Sequence, residues 1–219
     1  MKRQAGNRGR SDFNLSIMNE FGKSLSFSKV AIVLALLCGI VLATQWAPWQ
    51  DREIALDLGE PWEDMRQRST AKIGPAFKGE SWFQMPGSDA RLRLIDPQYA
   101  FVTPLARFFT VSFDNDGSVR SLRMSPQVEP LPLEEILKIV VDLQSQWRAG
   151  GWELYFPDEF PAIEDTVEWR EHLKDRRGRT FWRGGSRYMI RLYISRFYSN
   201  KYDEQRYLIT MQLSRPDTD

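Results

Sequence analysis

Few side chains in this chain of 219 residues have the type and spacing that chemistry needs. The only histidine, His172, sits in Glu168-Trp169-Arg170-Glu171-His172. Glu168 falls four residues earlier and would share its helix face. Such a pair offers two ligands, fewer than a zinc site takes, and a helix dipole alone favours a histidine near a C-terminal end. The acidic run from Asp158 to Asp165 holds Glu159, Glu164 and Asp165, carboxylates from which an acid and base pair for glycoside cleavage would be drawn. The same run suits a solvated loop or a contact with a basic partner. Asp114-Asn115-Asp116-Gly117 has the composition of a calcium loop, but with Gly117 in the sixth place the first is Ser112 and the twelfth Arg123. The ligand pattern fails, and turn chemistry explains these residues. There is no Gly-x-Ser-x-Gly elbow, phosphate loop or His-Glu-x-x-His, and the single cysteine, Cys38, lies in an apolar run. No catalytic residue, cofactor or metal is assigned, so the expectation is a protein that works by binding.

Trp, Tyr and Arg are the types enriched at interface hot spots. The strand-like stretch from Tyr188 to Phe197 alternates so that Arg191, Tyr193 and Phe197 share one face, with Trp182, Tyr198 and Arg206 expected nearby. These form the first candidate protein interface. Tyr pairs across strands also stabilise sheets, so covering a second layer is the alternative role. Asp158, Glu159, Glu164 and Asp165 form the second candidate contact, suited to a basic cleft. A formal net charge of +1 gives no sign of a nucleic-acid binder.

The elements that must position these residues follow from periodicity. Pro61 to Lys72 carries helix-start signals, and Ile73 to Ala90, rich in Gly and Pro, is expected as an irregular connector pinned by Phe77, Trp82 and Phe83. Arg91 to Ile95, Phe108 to Phe113 and Val119 to Met124 alternate as strands, the last two joined by the 114–117 turn. Leu133 to Ala149 repeats apolar residues at helical spacing and ends at Gly150-Gly151. A short strand from Trp152 to Phe156, a helix from Thr166 to Lys174 and a meander over 180–183, 188–197 and 207–214 complete the chain. The fold class is α+β, an antiparallel sheet domain with helices packed on one face.

An apolar run from Val30 to Ala43, with no charge between Lys29 and Asp51, is long enough for a helix to cross a hydrocarbon core of about 30 Å. Trp46 and Trp49, with Lys29 at the other end, suit the membrane interfaces. A cleaved signal peptide is the first alternative, yet no small-x-small site follows the run. A lipoprotein would modify Cys38, but Leu37 precedes it. A buried core helix is the third. The basic arm ahead of the run, with Lys2, Arg3, Arg8, Arg10, Lys23 and Lys29, predicts a cytoplasmic N-terminus, and the large remainder lies outside, in a diderm bacterium the periplasm. Phe13, Leu15, Ile17, Met18 and Phe21 form an amphipathic patch for the inner leaflet. The expected plan is a cytoplasmic basic arm (1–28), a transmembrane helix (29–49) contacting the bilayer through 30–47, a connector with a short helix (50–90) and a periplasmic α+β domain (91–219). With Cys38 its only cysteine, the chain can form no intramolecular disulfide, so packing alone must hold the domain together.

The stretches Ser88-Asp89-Ala90-Arg91-Leu92-Arg93-Leu94-Ile95-Asp96-Pro97, Phe108 to Phe113, Ile163-Glu164-Asp165-Thr166 and Arg206-Tyr207-Leu208-Ile209-Thr210 resemble single-span bacterial envelope proteins. Some proteins of that build resemble immunity proteins that accompany toxins exported by type VI secretion. The resemblance covers most of the part after the span and carries no catalytic motif. It implies an inner-membrane protein whose periplasmic domain binds and blocks a toxin. An accessory subunit of an envelope complex, and an envelope hydrolase using the acidic loop 158–165, are the other expectations.

Overall fold

Alternation of apolar and polar residues sets most of this architecture, because residues two apart on a strand share a face. The computed structural model describes residues 52–77, 79, 82–198 and 204–216. In chain order the elements are β1 (Glu53–Leu56), α1 (Trp62–Arg68), β2 (Trp82–Gln84), β3 (Arg91–Leu94), β4 (Phe101–Val102), β5 (Phe109–Phe113) and β6 (Val119–Met124). There follow α2 (Leu133–Ala149), β7 (Glu153–Leu154), α3 (Val167–Asp175), β8 (Gly178–Gly184), β9 (Tyr188–Phe197) and β10 (Arg206–Ser214). A seven-stranded sheet runs β2-β5-β6-β10-β9-β8-β7, every neighbouring pair antiparallel. A three-stranded sheet runs β1-β3-β4. The domain is α+β.

One face of the large sheet is apolar. Ile190, Leu192 and Ile194 of β9 lie in register with Leu213, Met211 and Ile209 of β10, and all are buried. The stripe Ile136, Val140, Leu143 and Trp147 closes α2 onto this face, where Trp147 meets Trp182 at 5.7 Å and Phe101 of the small sheet at 5.8 Å. Helix α3 packs on the same face. Gly178 admits it, because a Cβ there would lie 2.8 Å from Leu173 and 3.3 Å from Ile163. Ile54, Leu56, Leu92 and Leu94 join the same cluster from the small sheet.

Of the stretch 50–90, expected as a connector with a short helix, the described residues 52–77 and 82–90 are woven into the domain. Ile54, Ala55 and Leu56 are fully buried, and β1 pairs in parallel with β3, so β1 cannot be removed without opening the core. Gln50–Asp219 accordingly forms one compact unit. That parallel pair departs from the expected all-antiparallel pairing, which the large sheet does follow. β2, expected as irregular chain, pairs along the β5 edge. Among the described residues no helix is long and apolar enough to cross a membrane. The arm, the span, Lys29, Trp46 and Trp49 lie outside the described residues.

Candidate functional site: an arginine-rich sheet face and its flanking groove

The opposite face of the large sheet carries its outward residues. β9 turns Arg191, Tyr193, Ser195 and Phe197 this way, and β10 adds Arg206, Leu208, Thr210 and Gln212 in register with them. β8 adds Arg179, Phe181 and Arg183, and β6 adds Arg123. The five central strands β5, β6, β10, β9 and β8 place no acid outward; Glu153 of the edge strand β7 stands opposite Arg183. For a chain of net charge +1 this is a marked segregation. Arg123, Arg179 and Arg183 are exposed.

Aromatics sit among these cations. Phe181 lies 4.0 Å from Phe160 and meets Tyr193 edge-on at 5.7 Å, and the Arg179 guanidinium stands 5.5 Å from the Phe160 ring. Arg191 donates to Ser214 Oγ at 3.3 Å, and Arg206 approaches Glu204 at 3.9 Å. Tyr198 is exposed, with Arg196 over its ring at 5.2 Å. Thus Arg191, Tyr193, Phe197 and Arg206 share a face as expected. Trp182 does not: it is 1% exposed on the core side, in register with Ile190. Phe181, in register with Arg191, takes the outward place. Phe181, Arg123, Arg179 and Arg183 were not expected. The alternation of β8 would have shown three of them once its register with Arg191 was fixed.

The acidic loop flanks this face at the β8 edge. Phe156 turns the chain there with φ 52°, a left-handed value costly for a bulky residue, and its carbonyl accepts from Glu159 N (3.0 Å) and Phe160 N (2.8 Å). Phe160 then lies on the outward face, while Ile163 is buried on the other side, both its main-chain groups bonded to the Gln144 amide at 2.6 and 3.0 Å. Thr166 accepts from Trp169 N at 3.3 Å and caps α3.

Between loop, α3 and β8 runs a groove of 740 Å³. Asp158, Glu159 and Glu168 line it with Arg176, Arg177 and Arg179, and Trp169 and His172 meet edge-on at 5.3 Å along it. His172 Nε2 is 3.4 Å from the Arg177 carbonyl. The Glu168 carboxyl is held below its ordinary value by its own backbone N–H and by the Thr166 hydroxyl. The acids are divided, however. Asp158 and Glu159 line the groove, Glu164 is exposed outside its lining, and Asp165 accepts a two-pronged bond from Arg170 at 2.6 and 2.9 Å that lowers its pKa. The carboxylates considered for glycoside cleavage are therefore not gathered at one place. Among the described residues no group of His, Cys, Asp and Glu is arranged to hold a metal ion.

A polar cluster lies elsewhere, between the small sheet and the β8–β9 turn, buried at Tyr188 and Asp96 and open to solvent at Arg187. The Tyr188 hydroxyl is shared between Asp57 and Asp96, 3.0 Å from the latter, and Arg187 donates to Asp57 at 2.8 Å and also to Asp96. Asp96, 4% exposed, also accepts from Gln98 N and Tyr99 N, each at 2.8 Å. Burial pushes its pKa up, but these N–H donors, the phenol and Arg187 outweigh that and leave it lowered. Burial and the two carboxylates raise that of Tyr188. With the one guanidinium of Arg187 bridging both carboxylates, the cluster is a clamp between sheets.

No family model matches this chain. No curated protein and no solved structure matches it either.

Proposed function

We propose that this is a single-pass bacterial inner-membrane protein, N-terminus in the cytoplasm, whose periplasmic domain binds a protein through the open face of its large sheet. The observation that carries the reading is the segregation of Arg123, Arg179, Arg183, Arg191 and Arg206 around Phe181, Tyr193 and Phe197, with no acid outward on the central strands. Arginine among aromatics is the composition of an interface centre, and its sign fits an acidic partner surface. The groove acids and His172 take no catalytic part in this reading, because the sequence carries no nucleophile elbow, phosphate loop or His-Glu-x-x-His with which they could act. The sequence resemblance to immunity proteins supports the version in which the partner is a secreted toxin, held off by a domain tethered where that toxin acts.

The test uses Gln50–Asp219 and the product of the gene beside its own, titrated by calorimetry. The wild-type domain binds, and combined Arg123→Glu, Arg179→Glu and Arg183→Glu weakens binding about a hundredfold with the melting temperature unchanged. Unchanged binding removes this face from the role. Replacing the arm and span with a cleavable signal peptide separates the versions: an immunity domain still protects cells, whereas a subunit assembled through its span does not.

A further inference from the structure

At the β2 edge of the large sheet a second surface stands out. Phe77, Trp82, Phe83 and Met85 are each about half exposed, although large apolar side chains are ordinarily covered. Trp82 and Phe83 stack at 5.8 Å with planes 12° apart, and Phe77 meets Trp82 edge-on at 6.1 Å. The rings therefore present one apolar surface.

Its place in the chain bears on what could cover it. Glu53 O accepts from Thr70 N and Ala71 N at 3.0 Å, Lys72 O accepts from Gly87 N at 2.9 Å, and Ile73 bridges Pro86. The start of β1 and the pair Pro86 and Gly87, which follow Met85, are thus about two strand spacings apart, about 10 Å, and Phe83 lies three to four residues further back along the chain. Only Gln50, Asp51 and Arg52 separate β1 from Trp49, where the apolar run's flank ends, and they reach at most about 10 Å. Tryptophan and phenylalanine are the residues that settle at the lipid headgroup boundary.

We infer that Phe77, Trp82, Phe83 and Met85 dock onto the surface of the phospholipid bilayer. This rests on the anchoring half of the proposed function and not on its protein partner. Docking at the β2 edge would fix how the sheet stands on the membrane and which way Arg179 and Arg183, at the far edge, are turned.

The described core lies wholly within Gln50–Asp219, so that domain is tested alone. It is sedimented with vesicles of phosphatidylethanolamine and phosphatidylglycerol, beside a variant carrying Phe77→Ser, Trp82→Ser and Phe83→Ser. The wild type partitions into the pellet, and the variant partitions about a hundredfold less at an unchanged melting temperature. Brominated acyl chains quench the wild-type emission more than that of Trp82→Phe. Three results overturn the inference: no vesicle binding by the wild type, equal binding by the variant, or a ring-dependent dimer in sedimentation equilibrium without vesicle binding. A reporter behind Asp219 that faces the cytoplasm would sink the anchoring reading whatever the vesicles show.

Discussion

The Tyr188 phenol ties Asp57 and Asp96, which follow two strands of the small sheet, to the start of β9, while Arg187 bonds both acids and lies over its ring. Tyr188→Phe leaves Asp57 and Asp96 short of a donor and costs about 1–3 kcal/mol, measurable by urea unfolding. Asp96 binds its proton less readily folded than unfolded. Its contribution is complete above the unfolded value of about 3.8 and drains away as pH falls through the lower folded value. Asp96→Asn should therefore lower stability at pH 7 and flatten the acid limb of the stability profile, whereas a parallel offset at every pH would contradict this. Tyr188, raised, works in the other direction, its share present at neutral pH and lost only in strong alkali. None of this was legible in the sequence. Asp57 and Tyr188 lie 131 residues apart, and no local pattern links an Asp after a short strand to a Tyr after a turn.

At the scale of elements, what repeats locally was readable. α2 and β9 have the bounds their periodicity predicts, and of the two adjacent cap-type residues Asp165 and Thr166 it is Thr166 that caps α3. β1 and β4 were missed because strands of four and two residues carry little periodicity and owe their form to distant partners. Trp182 was misplaced for a related reason. A strand's alternation gives two sets of side chains, and only the register with β9 says which set faces the core. The acidic loop depends on one side chain of α2, since the buried Gln144 amide satisfies both main-chain groups of Ile163. Gln144→Leu should cost about 2 kcal/mol or more and raise hydrogen exchange over 157–165 before the rest of the domain. Gly178→Ala should lower the melting temperature by pressing on Leu173 and Ile163, and unchanged stability there would mean that α3 moves freely off the sheet.

For the whole molecule, the burial of β1 makes a sharp statement about where the domain begins. A fragment of residues 91–219 should lack a cooperative melt, while Gln50–Asp219 should show one, as calorimetry would establish. That domain offers two unlike surfaces on its large sheet, aromatic at the β2 edge and arginine-rich across the centre. Recognition by the second is the central claim, and photocrosslinking in living cells tests it most directly. A benzoylphenylalanine is placed at Tyr193 on the arginine-rich face and, in a separate strain, at Val141 on the exposed side of α2. The account predicts a protein adduct from Tyr193 alone, abolished when Arg123, Arg179 and Arg183 become glutamate. Adducts from both positions that survive the charge reversal, or an adduct from Val141 only, would contradict it.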